Sequence, residues 1–272
     1  RLGMKTDDIF DAVEASSEFR LINLAVTQTI DEHPQDKLAI EHFVVNRPYG
    51  CCIDRGSKVT IVSPSSLVDP CTGYFSYYIA LIGGFNYISR EIGELRPYRS
   101  YYAFDDRNTH EENLAIYMED LEKLTSREGS WTLTILAASG ALEPAYPTMF
   151  HFSAGGAKGD ECFEGDNLTV RDMVAYRAFY ENLSEELKTN FDMASDHQRY
   201  HSVTSSKMFA RKFNEGLGCK NNIVLRVAWS ACLWDSRRIA IAQTISDALS
   251  RHFDSETPKA YLEELKIKKC GY

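Results

Sequence analysis

The chain has 272 residues, 44% of them apolar and 25% charged, and carries a formal net charge of −9. That size and balance allow a sizeable core, as one large domain or two lobes, and exclude wholesale disorder. The longest apolar runs, such as Tyr74 to Phe85, are broken by glycine, serine and tyrosine and fall short of the roughly 18–20 residues that a bilayer-spanning helix needs. The chain therefore reads as a soluble protein with no membrane partner.

The acidity is uneven. Residues 1–170 hold 14 Lys and Arg against 26 Asp and Glu, whereas residues 171–272 hold 16 against 13, so a mildly basic C-terminal part follows an acidic one. A local basic surface can attract an anion whatever the total charge. Seven cysteines without a Cys-x-x-Cys pair, two of them adjacent at Cys51 and Cys52, read as buried reduced thiols and point to an intracellular compartment, cytoplasm or nucleus.

In chain order, Asp8 to Ile30 has apolar spacing for one or two helices, ended by His33-Pro34. "LAIEHFVVNRPYG" and "SKVTIVSP" are rich in β-branched residues and bounded by Gly, Ser and Pro, which predicts a small hairpin. Gly73 to Leu95 is apolar nearly all round, as in a buried helix, with Gly83-Gly84 as its weak point. Thr109 and Glu112 form a capping box ahead of a helix with Leu114, Tyr117, Leu121 and Leu124 on one face. Trp131 to Leu142 reads as a short buried helix interrupted by Pro144 and Pro147.

Ala145 to Glu161 sets Phe150, His151 and Phe152 against a glycine-rich exit, three glycines within Gly155 to Gly159. A Walker loop is excluded, because no Lys followed by Ser or Thr closes the glycines and Asp160 and Glu161 would repel a phosphate. The segment reads as a hinge. Beyond it, Thr169 and Asp172 cap a helix carrying Met173, Tyr176, Tyr180, Leu183 and Leu187, and further helices are expected over 196–216, 222–234, 236–253 and 257–267. The expected architecture is mainly α: an N-terminal helical lobe with a small β-hairpin over 1–154, a hinge at 155–168 and a C-terminal helical lobe over 169–272.

Three groups of residues suggest chemistry. In "LRPYRSYYAFDDR", Arg96 and Arg99 alternate with Tyr98 and Tyr102, a mixture that pairs with phosphates and stacks on bases, or equally forms a loop closed by Asp105 and Asp106. Lys207, Arg211 and Lys212 share one expected helix, and with Lys158 they could follow a nucleic-acid backbone or face solvent. His197 and His201 stand at i, i+4, a spacing at which two imidazoles can reach one metal, with Asp196 or Asp192 to orient them; yet no glutamate lies between them and Arg199 would oppose a cation, so no metal is expected. Asp105-Asp106 lacks a third acid, no Gly-x-Ser-x-Gly elbow occurs, and no cofactor is expected.

Within Trp131 to Gly159, the run Leu133-Thr134-Ile135, then Glu143, Tyr146-Pro147 and Ala154-Gly155-Gly156, resembles the nucleoproteins of nonsegmented negative-strand RNA viruses. The resemblance implies a mostly helical, two-lobed, self-assembling structural protein. It would hold single-stranded RNA in a basic cleft without catalysis, and it would belong to a virion. Two other readings stand beside it: a helical enzyme with a scattered site centred on His197 and His201, and an assembly subunit or homo-oligomer with an interface around Trp229, Leu233 and Trp234.

Overall fold

The computed structural model describes residues 47–64, 72–90, 111–138, 148–155, 168–197, 221–228, 230–234 and 237–255. The strands are β1 (Gly50–Ile53), β2 (Val59–Ser63), β3 (Asn86–Arg90), β4 (Trp131–Ala138), β5 (Thr148–Ser153), β6 (Ala194–His197) and β7 (Asn222–Ala228). The helices are α1 (Thr72–Gly83), α2 (Glu111–Thr125), α3 (Met173–Phe191) and α4 (Arg238–Phe253), with a π-helical turn at Ser230–Trp234. The strands form one seven-stranded sheet in the order β1-β3-β2-β4-β7-β5-β6.

The mainly α expectation is therefore corrected to an α/β fold. Trp131 to Leu142, read as a buried helix, begins as β4, and the helix expected over 222–234 is β7 followed by the π turn. Both strands are buried on their two faces, so they read as continuous apolar runs in which the alternation is hidden. The small hairpin is corrected too. β1 and β2 are both strands, but β3 lies between them, antiparallel to β1 and parallel to β2. Two separate helical lobes are likewise replaced, because the sheet takes β1 to β5 from one side of residues 155–168 and β6 and β7 from the other.

β3, β2, β4 and β7 run parallel, and β7 then meets β5 antiparallel, with β6 parallel to β5 at the edge. Helices α1, α3 and α4 pack with one face, where Ile61, Leu133, Phe152, Leu225, Phe179 and Ile245 share a core. On the other face, α2 covers Val62 and Ile88 with Tyr117, Leu121 and Leu124.

The helices expected around Leu114 to Leu124, Met173 to Leu187 and 236–253 are α2, α3 and α4, whereas the run read as one helix over Gly73 to Leu95 leaves the helix at Gly83 and continues as β3. Asp172 is the N-cap of α3, accepting from Ala175 N at 3.0 Å, and Tyr176, Phe179, Leu183 and Leu187 recur at helical spacing to bury one face. Gly84 ends α1 at φ 68°, with Gly84 N donating to Leu81 O at 3.3 Å and Phe85 N to Ala80 O at 2.8 Å. That pair of bonds is a Schellman cap, and it turns the chain straight into β3. Residues 8–30 and 257–267, the cap residue Thr109 and most of the 196–216 helix lie outside the described residues.

Side-chain bonds pin the amino edge of the sheet. Asn86 Oδ1 accepts from Arg55 N at 2.9 Å and Ser57 N at 3.3 Å, and its Nδ2 donates to Ser57 O at 2.8 Å and Thr60 Oγ1 at 3.2 Å. Asp254, buried just past α4, accepts from Ser57 Oγ at 2.5 Å and Lys58 N at 3.0 Å. The same turn is thus tied to β3 and to the end of the last described helix. Cys51 and Cys52 are in no disulfide, as expected, whereas Cys232 is disulfide-bonded, which corrects the all-reduced reading at that position.

Removing the Asp254 carboxylate strands the buried Ser57 hydroxyl and the part-buried Lys58 N–H, so Asp254→Ala should cost about 1–3 kcal/mol in urea unfolding. Asp54→Ala removes a partly exposed pair with Arg127 and should cost under about 1 kcal/mol. Equal losses would contradict this assignment of the tie.

Candidate functional site

Strand alternation sorts β5, β6 and β7 into two faces. Phe150, Phe152, Ile223, Leu225 and Val227 enter the main core, so the intervening His151, Ser153, Asn222, Val224 and Arg226 point to the opposite face. The register then aligns one row across four strands. Leu136 stands opposite Arg226, Arg226 opposite His151, and His151 opposite Asp196. Leu136 and Arg226 are each two residues short of the carboxyl ends of β4 and β7, the edge at which open parallel sheets commonly hold their ligands.

Within that row His151 Nδ1 lies 2.8 Å from Asp196 Oδ1. The histidine side chain is 6% exposed and the aspartate 28%, so the imidazole is largely buried and the carboxylate is the more open end of the pair. An ionised carboxylate only accepts, so Nδ1 must carry the proton, and in the neutral ring Nε2 then holds the lone pair. Arg226, buried beside it, brings a fixed positive charge and a planar fork of donors. Such a set can move a proton at Nε2 while steadying negative charge alongside.

Lower on the same face, Asn222 Oδ1 accepts from Thr132 Oγ1 at 2.8 Å and Thr134 Oγ1 at 2.9 Å. Val224 and Leu136 separate this polar knot from the His151 row.

His197 belongs to β6 and not to a helix, so the i, i+4 argument that paired it with His201 is corrected; His201 lies outside the described residues. Its register partner is Phe152, which puts it on the core face against α3. There its ring sits 5.4 Å from the ring of Tyr176 and 5.1 Å from that of Tyr180, and burial pushes its pKa down to about 4 against an opposing pull from Asp196. Asp196, expected to orient His197, points the other way and orients His151. Asp192 is the left-handed C-cap of α3 and pairs with Lys188. Among the described residues no group of three or more His, Cys, Asp or Glu is placed to hold a metal ion.

Arg96, Tyr98, Arg99, Tyr102, Lys158, Lys207, Arg211 and Lys212 all lie outside the described residues, as does Trp229. Leu233 and Trp234 fall in the π turn. Sequence spacing alone gives His151 no partner and does not mark Arg226. The signal for His151 is alternation, because Phe150-His151-Phe152-Ser153 sets polar positions against apolar ones with a period of two, whereas Arg226 stands in the apolar run Ile223-Val224-Leu225-Arg226-Val227, where no such period shows.

No family model matches the chain, and no curated protein matches it. Among solved structures, that of a bacteriophage poly-gamma-glutamate hydrolase is similar at 11% identity and a TM-score of 0.46, over 78% of this chain and 93% of that one. The reading as an RNA-binding nucleoprotein is corrected. It required two helical lobes, and the segment that carried the resemblance, Trp131 to Gly159, instead supplies strands β4 and β5 of an α/β sheet. No helix among the described residues is long and apolar enough to cross a membrane.

The His151–Asp196 bond sets an energetic expectation. Asp196→Ala should cost about 1–3 kcal/mol in wild type, by leaving a buried imidazole N–H without its acceptor, and under about 0.5 kcal/mol in a His151→Phe background. A double-mutant cycle with no coupling energy would contradict the pairing.

Proposed function

We propose that the chain is an enzyme that uses His151 as a general acid–base, with Asp196 setting its tautomer and Arg226 holding negative charge on the substrate or on the transition state. The observation that carries this reading is the 2.8 Å His151 Nδ1 to Asp196 Oδ1 contact, placed in register with a buried arginine near the carboxyl edge of parallel strands. A buried polar row of this kind has a desolvation cost, and a pair of Val or Leu residues would fill the same space without it. Catalytic use is a reason to keep it.

Each group has a separate task. Asp196 stabilises the imidazolium that forms when Nε2 takes a proton, and it stays ionised itself. His151 returns that proton to a leaving atom. Arg226 meets an oxyanion or carboxylate with two parallel N–H donors, a geometry that lysine does not reproduce. Hydrolysis or group transfer at an acyl or phosphoryl centre fits this set.

A panel of chromogenic carboxylic esters, amides and phosphoesters tests the reading. His151→Gln should lower kcat/KM on any substrate turned over by about 100- to 10,000-fold. Arg226→Lys should act mainly on KM for substrates with a carboxylate near the reacting bond. A wild-type protein silent across the panel, or activity undiminished in His151→Gln, would contradict the assignment.

A further inference from the structure

Strand β6 has four residues and stands at the edge of the sheet, and it is held in two different ways on its two faces. On one face Asp196 meets His151; on the other His197 fills the space between Tyr176 and Tyr180 of α3. The residues are consecutive, so alternation gives the strand one polar and one aromatic anchor with no residue between them. Phe152, opposite His197, also packs against Tyr180, with ring centroids 5.5 Å apart, so the slot is aromatic on two sides.

We infer that β6 is a pH-responsive latch: protonation of His197 expels its ring from the slot on α3, opens the short edge strand and withdraws Asp196 from His151. The regulatory consequence rests on the catalytic reading of His151, but the opening itself does not. A neutral imidazole packs against phenol rings at little cost, whereas an imidazolium there must be desolvated. Both ring nitrogens of His197 are out of contact with solvent. Among the described residues, the titratable groups that face it are the phenols Tyr176 and Tyr180 on α3; β5 presents Phe152, and the nearby charge is that of Asp196, on the opposite side of the strand. The charged pair Arg177–Glu181 on α3 is exposed.

The sign follows from linkage. The packed ring titrates at about 4 and a released one near its ordinary 6.5, so the open form binds the proton more tightly and opening grows as pH falls through that window. At about pH 5 the open population should stand roughly 20-fold above its value at neutral pH. Above about pH 7 it should be flat.

Hydrogen exchange of the β6 amides, expressed as protection factors so that the intrinsic pH dependence of exchange is removed, reads this opening directly. Wild type should lose about 20-fold of protection between pH 7 and pH 5, and His197→Phe, which fills the slot without titrating, should lose less than about threefold. Should His197→Phe not fold, His151→Gln decides: the loss persists there if His197 is the sensor and disappears if His151 is. A flat wild-type profile, equal losses in wild type and His197→Phe, or disappearance in His151→Gln would each overturn the latch. Exchange is read without substrate, so a silent activity panel leaves this test intact, and a flat β6 profile leaves the role of His151 intact.

Discussion

The register between β5 and β6 is the constraint on which the rest depends. Side chains alternate across a strand, so one residue of slip would send Asp196 into the aromatic core and His197 to the polar face. The hydrophobic pattern forbids that slip. Phe150 and Phe152 must face α3 and α4, which commits His151 to the other side, and the irregularity between Thr148 and Phe150 adjusts the pairing so that Asp196 falls opposite His151. The His151–Asp196 pair is thus positioned by two phenylalanines that do not touch it through a polar group.

The sheet places this row where chemistry is possible. Its parallel centre is covered by α1, α3 and α4 on one face, and burial of their aliphatic and aromatic residues provides the main driving force for folding. On the other face the α2 cluster covers β2 and β3, while β4, β7, β5 and β6 carry Thr132, Thr134, Asn222, Arg226, His151 and Asp196. The division between an apolar face and a largely polar half-face runs through single strands, residue by residue. Buried polar groups need partners, and here they find them across neighbouring strands: threonine hydroxyls on Asn222 Oδ1, and the imidazole on Asp196.

What could be read from the sequence follows from the range of each interaction. Caps and helical periodicity are local, so α2, α3 and α4 were legible from Tyr117, Leu121 and Leu124, from Asp172, and from the apolar spacing up to Phe253. The strands were obscured for a different reason: "WTLTILAA" and "NIVLRVA" are buried on both faces, and runs of that kind match a buried helix as well as a strand. The sequence sets Asp196 beside His197 and His201, whereas in the fold its carboxylate bonds to His151. Its neighbour His197 is adjacent in the chain, whereas its true partner lies 45 residues earlier and is brought to it only by strand pairing. No local pattern encodes that pairing.

The central claim is that Asp196 holds His151 in one tautomer, and 15N chemical shifts of the His151 ring report that most directly. Nδ1 should be protonated and pyrrole-like and Nε2 unprotonated and pyridine-like at neutral pH, with the preference lost in Asp196→Asn. A His151 that is protonated at Nε2 in the wild-type protein, or whose tautomer is indifferent to Asp196→Asn, would contradict it.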